Sequence, residues 1–163
     1  MDPEAILAAI EQQRDGEAEQ PAEQERVSYL AFFLGEEVYG LPLEQLREVA
    51  HVTHLRRVPG APHGVAGLVN LRGEILCALD VRAMLGLPAQ ASTEAPFIVA
   101  LRGFGDPLGL IVDSIADIYS VTAGEIEAPP ATWSAERAAC FVGTVRVSAG
   151  LMGLIDLARV IRL

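Results

Sequence analysis

The sequence predicts a mainly β protein made of two related small barrels. Three observations carry that reading: short apolar runs broken at close spacing by turn residues, few helical patterns, and a second half that repeats the first. The chain's 163 residues suit one domain of ordinary size or two very small ones packed together. Apolar residues make up 51% and charged residues 21%, which supplies a core and excludes disorder of the whole chain.

Residues 1–26 differ from the rest. Asp2, Glu4, Glu11, Asp15, Glu17, Glu19, Glu23 and Glu25 face only Arg14 and Arg26, so this segment carries −6 of the formal −10. Ile6, Leu7 and Ile10 have the spacing of a short amphipathic turn or two before Gly16 and Pro21 intervene. High charge and few apolar residues give the expectation of a disordered acidic tail, with a helix docking on a partner as the alternative. The domain proper is then 27–163.

From Val27 the texture turns to strands. Tyr29–Leu34 reads as a strand, Gly35-Glu36-Glu37 as a turn and Val38–Leu41 as its return. Gly67–Leu71 and Glu74–Leu79 flank Arg72-Gly73 as a second hairpin. Asp80 caps a short helix over Val81–Leu85, which Gly86 stops. Phe97–Arg102, Leu108–Val112, Phe141–Val147 and Leu151–Ile155 repeat the strand pattern, and Thr122 and Glu125 have capping-box spacing. Pro42 cannot donate to a ladder and marks an edge or a strand end.

Sliding the halves over one another exposes the repeat. Tyr39–Val49 lies over Leu108–Ile118 at an offset of 69, and Gly67–Leu85 over Gly143–Ile161 at an offset of 76. Gly, apolar positions and the acids Glu44 with Asp113 and Glu48 with Asp117 coincide in type. The repeat units are about 27–88 and 95–163, each closed by a strand, an Asp and a short helix. Neither has a large core, so each needs the other's face.

Composition and motifs exclude most chemistry. A net acidic chain repels phosphate backbones, so no nucleic-acid partner is expected. All 12 basic residues are Arg, which removes Schiff-base chemistry and the P-loop lysine. Cys77 and Cys140 lie far apart in apolar surroundings and read as small buried hydrophobes. No apolar run approaches the ~18 residues of a membrane span, and residues 1–26 lack the pattern of a signal peptide. The expectation is a cytoplasmic protein with no direct membrane insertion. GxSxG, HExxH, GxxxxGK[ST] and GxGxxG are all missing, so no catalytic residue is assigned. Glu48, His51 and His54 recur at spacings of three, which on a helix would align metal ligands. The β-branched Val49, Val52 and Thr53 make a strand with polar residues outside an equal reading, and no metal or cofactor is expected.

The segment Gly64–Val81 is almost wholly apolar apart from a few residues, among them Asn70 and Arg72. In strand periodicity those two share a face and Val69 and Leu71 the opposite one. A guanidinium at the tip of such a hairpin needs an anionic or carbonyl partner. It closes the turn by a structural salt bridge, or it is a recognition point for another protein.

Gly67-x-x-Asn70-Leu71-Arg72-Gly73-x-Ile75, followed by Leu79-Asp80-Val81, resembles the signature of the CheW family, the coupling proteins of bacterial chemosensory arrays. Phe32–Val49 resembles that family's first hairpin, and Gly109–Asp113 with Ile115–Ile118 its second-barrel entry, so the likeness covers about 27–163. It implies two SH3-like five-stranded barrels around a shared core, and a non-catalytic adaptor. Such an adaptor joins chemoreceptor (methyl-accepting) cytoplasmic tips to the regulatory domain of a CheA-type histidine kinase, at membrane-associated arrays, and is monomeric when free. By the same likeness Gly67, Asn70, Leu71, Arg72 and Gly73 match the receptor-binding groove, with Glu48 pairing the hairpin Arg. Leu30, Leu43, Leu46 and Val49 match apolar outer positions that meet the kinase. A freestanding copy of the kinase regulatory domain is the alternative, disfavoured because no phosphoacceptor-His helix or ATP motif is present. A small metal-binding enzyme using Glu48, His51 and His54 is a more distant one.

Overall fold

A computed structural model describes residues 2–16, 25–88 and 95–161. Helix α1 (Pro3–Gly16) precedes a hairpin of β1 (Arg26–Leu34) and β2 (Glu37–Pro42), and a 3-10 turn, Leu43–Gln45, leads into β3 (Leu46–His51). There follow β4 (Leu55–Arg56), the hairpin β5 (Val65–Leu71) and β6 (Glu74–Asp80), α2 (Val81–Met84), β7 (Phe97–Leu101), β8 (Leu108–Val112) and β9 (Ser114–Thr122). The chain ends through α3 (Ala135–Ala138), β10 (Phe141–Val147), β11 (Gly150–Ile155) and α4 (Leu157–Val160).

These strands form two sheets, a five-stranded one ordered β10-β11-β2-β1-β9 and a six-stranded one ordered β3-β7-β8-β6-β5-β4. The fold is mainly β, two SH3-like barrels. Each sheet mixes strands from both halves of the chain. The register relates them by the offsets found in the sequence: Tyr29 pairs Tyr119 where Ala50 pairs Ile98, and Tyr39 pairs Gly153 where Leu108 pairs Cys77. Both barrels also bulge at equivalent places, beside Gly67 and beside Gly143.

The period of two along each strand explains why these runs look continuously apolar. On β1, Tyr29 and Ala31 enter an apolar cluster with Val121, Val145 and Met152, whereas Leu30 and Phe32 enter a larger one drawn from both sheets. On the six-stranded sheet, Ile98 and Ala100 join Val69, Leu71 and Leu76, whereas Val99 and Leu101 face the shared cluster. A strand buried on both faces shows no alternation. Asp113 ties the sheets together. Its carboxylate accepts two hydrogen bonds from the Arg82 guanidinium and one from the Gly35 backbone N–H.

The acidic segment departs from the expected tail. Residues 3–16 are helical, and Ile6 and Ile10 are buried within the shared cluster. Charge set the sequence expectation, but a helix needs only one apolar stripe, and Ile6 and Ile10, with Leu7 and Ala9 partly buried, supply it. Residues 17–24, the rest of the expected tail, lie outside the described residues.

Candidate functional site

The β5–β6 hairpin turns through Arg72 (φ 52) and Gly73 (φ 84), the positive-φ pair of a two-residue type I′ loop whose twist matches the strands. Arg72 is the only described residue besides glycine with positive φ. The turn is braced from below, since the Gly73 N–H donates to Asn70 Oδ1 at 3.0 Å. Asn70, Arg72 and Gly73 are exposed, whereas Leu71 points into the barrel interior. The alternation read from the sequence is therefore present.

Two ion pairs join this tip to β3. Arg47 Nη1 donates to both carboxylate oxygens of Glu74 at 3.0 Å, and Arg72 Nη2 lies 3.4 Å from Glu48 Oε2. The sequence likeness placed Glu48 beside Arg72, and the structure brings them together, through one contact rather than a bidentate pair. The two ends are unequal: the Glu48 side chain is 13% exposed and that of Arg72 70%. Glu48 Oε2 is buried without a hydrogen bond, so Arg72 is the cation facing it. Held at one edge by charge and on a strained turn, the guanidinium presents its remaining donors to solvent.

Other members of the expected receptor set have structural roles. Gly67 is buried against β4, where a Cβ would stand 2.3 Å from the Arg56 carbonyl oxygen. Its φ of 153° also favours glycine. The structure adds apolar neighbours that the sequence reading missed. Ile75, directly opposite Asn70, is 51% exposed, and Leu55 and Val58 are exposed nearby on and after β4. The signal was the strand alternation after Glu74, hidden by the apolar run that follows it.

The expected kinase-facing set requires a correction. Leu30, Leu43, Leu46 and Val49 form no exposed apolar patch; all are buried in the shared cluster. Leu30 lies in the middle of β1. Leu43, Leu46 and Val49 belong to the 3-10 turn and β3, against which α1 lies, and Ile6 and Ile10 join their cluster. The spacing of three between them reflects a 3-10 turn followed by a bulged strand. The histidines diverge likewise. β3 is extended, His51 lies against the Phe97 ring with centroids 4.2 Å apart, and Glu48 faces Arg72. Among the described residues no three His, Cys, Asp or Glu side chains gather as metal ligands.

A second polar cluster lies on the five-stranded sheet. Arg137 stacks 4.1 Å over Trp133 and donates to Glu37 at 3.1 Å and to the Tyr39 hydroxyl at 3.3 Å, while that hydroxyl donates to Glu37. Burial first, then the Glu37 carboxylate, hold the Tyr39 phenol well above its ordinary range. These contacts run through Arg137 Nη2, while its Nε is buried without a hydrogen-bond partner, and they fix the α3 segment to the barrel.

Comparison with known proteins gives a consistent result. The CheW-like domain family matches residues 28–163. A chemotaxis protein CheW from Treponema pallidum is 29% identical over 138 residues, covering 82% of this chain and 81% of that protein. Its counterpart from Rhizobium meliloti is 28% identical, covering 78% and 83%. A crystal structure of a scaffolding protein, CheW of Thermoanaerobacter tengcongensis, superposes with a TM-score of 0.76 over 90% of this chain and 95% of that one, at 23% identity.

Proposed function

Because this chain belongs to the CheW-like family of chemotaxis proteins, we propose that it is a non-catalytic adaptor linking chemoreceptor cytoplasmic tips to a CheA-type histidine kinase. In this reading the protein is monomeric when free, works in the cytoplasm, binds no nucleic acid and is recruited to membrane-associated arrays. Among the described residues no helix is long and apolar enough to cross a membrane.

The observation that carries the reading is the charged hairpin tip. Arg72 is exposed, sits on a two-residue turn, and is tethered to β3 by a largely buried carboxylate. An oriented guanidinium beside Asn70 and an exposed Ile75 suits a helical protein surface offering carboxylates and an apolar ridge. The receptor tip is assigned to Asn70, Arg72 and Gly73, with Glu48 positioning Arg72, and Gly67 and Leu71 shaping the hairpin beneath. The kinase regulatory domain is assigned to the side of the 3-10 turn and β3.

The test is reconstitution of the adaptor with a CheA-type kinase and a receptor cytoplasmic fragment from the same genome. Ternary co-sedimentation and receptor-dependent kinase stimulation are expected with the native chain and not with Arg72→Ala. Binding to neither partner refutes the adaptor reading.

A further inference from the structure

We propose that α1 is a cover built into the chain: it occupies the apolar side of the 3-10 turn and β3 and must leave before a partner engages that side. The inference deepens the proposed function, and it rests on the kinase being the partner there.

Four observations support it. The family match begins at residue 28, so α1 lies outside the stretch that the family model matches. The helix makes its main contacts with β3 and the 3-10 turn, seating Ile6 and Ile10 in the cluster that contains Leu43, Leu46 and Val49. Its outer residues, Glu4, Ala5, Ala8, Glu11 and Gln12, are exposed. Between α1 and β1 the sequence offers Glu17, Glu19, Glu23 and Glu25, with alanine and proline as its only apolar residues.

The attachment is of a kind that can be exchanged. A helix of 14 residues is marginal by itself in water, so α1 depends on its docked face. Among the described side chains of α1, Ile6 and Ile10 are fully buried, whereas Leu7 and Ala9 are partly so. A competing surface that covers Leu43, Leu46 and Val49 replaces those contacts without rearranging the sheet. Because the helix is tethered to the surface it covers, its effective concentration is high and partner affinity is lowered by the fraction of chains that are closed.

Calorimetry with the kinase regulatory domain tests this on the full chain and on an Ile6→Ser/Ile10→Ser variant. The variant is expected to bind at least tenfold more tightly while binding a receptor-tip fragment as the native chain does. A peptide of residues 2–16 added in excess should weaken the variant's kinase binding again. Equal or weaker kinase binding by a variant that melts cooperatively and binds the receptor fragment overturns the cover. Hydrogen exchange on the unaltered chain provides a test independent of the variant. Saturating kinase domain should accelerate exchange across 3–16 and slow it across 43–51; kinase binding with α1 still protected overturns the proposal. If the kinase domain binds neither protein while the receptor fragment binds both, the kinase assignment itself fails and takes the cover with it.

Discussion

Replacing Arg72 by alanine removes the cation that faces the buried oxygen of Glu48, and its effect on stability differs from that of the reverse replacement. At 3.4 Å the Coulomb attraction is about 1.2 kcal/mol in a water-like dielectric and about 5 kcal/mol at an effective value of 20. With Arg72 70% exposed the lower figure governs, and side-chain ordering reduces it further, to ~0–1 kcal/mol for the pair. Arg72→Ala, however, also leaves a carboxylate that is 13% exposed without its counter-charge, so the loss should reach about 1–2 kcal/mol. Glu48→Ala gives up the same attraction but relieves the desolvation of the carboxylate, so its cost should stay near ~0–1 kcal/mol. The double variant should be no less stable than Arg72→Ala alone. Urea denaturation of the four proteins measures this cycle. For a receptor-tip fragment each single variant should lose at least about tenfold in affinity, about 1.4 kcal/mol, and the double variant little more than the worse single. Additive losses in receptor binding, or a Glu48→Ala variant clearly less stable than Arg72→Ala, refute the pairing argument.

Gly67→Ala should lower the denaturation midpoint far more than Gly73→Ala, because its Cβ meets the Arg56 carbonyl at 2.3 Å whereas Gly73 opens to empty space and incurs only the ~1 kcal/mol of a positive φ. Tyr39 and Tyr29 both have phenols raised by burial, so their contribution is complete below the ordinary phenol pKa of about 10 and is lost as the pH rises through the higher folded values. Alkaline melting of Tyr39→Phe should accordingly show a shallower loss of stability above about pH 10 than the native chain. Asp113→Ala should cost about 2–4 kcal/mol, since it removes the charge-assisted hydrogen bonds to the largely buried Arg82 guanidinium together with the one from the Gly35 N–H, and should lower Tm by roughly 5–15 °C in a calorimetric scan.

Most of the fold was legible because its signals are local. The turn at Gly35, the Arg72-Gly73 loop and the Asp80 cap, whose side chain accepts from the Ala83 N–H at 3.4 Å, are written in adjacent residues. The Thr122 and Glu125 capping box, with the Thr122 N–H donating at 3.1 Å, is equally short-range. Long-range facts were less legible. The apolar residues at 43, 46 and 49 look alike whether they face a partner or the core, and only the position of α1 against them decides. Likewise β9 reads poorly from sequence because Ser114, Asp117 and Ser120 interrupt it, yet its pairing along β1 makes it one of the longest strands.

The internal repeat separates scaffold from site better than either copy alone. Gly67 and Gly143 both back onto a neighbouring carbonyl, that of Arg56 in one barrel and Glu127 in the other, so this requirement belongs to the shared architecture. The charged clasp belongs to one copy. At offsets of 69 and 76, Arg47 and Glu48 correspond to Ala116 and Asp117, whereas Arg72 and Glu74 correspond to Ser148 and Gly150. The second barrel thus closes without either ion pair; Asp117 accepts from the adjacent Ile118 N–H at 2.7 Å, and Ser148 hydrogen-bonds Tyr119 at 2.9 Å. A barrel of this kind does not need Arg47–Glu74 or Glu48–Arg72 in order to fold. Set between β3 and this one hairpin, they hold a guanidinium that still faces solvent, an arrangement that the stability of the strands beneath does not require.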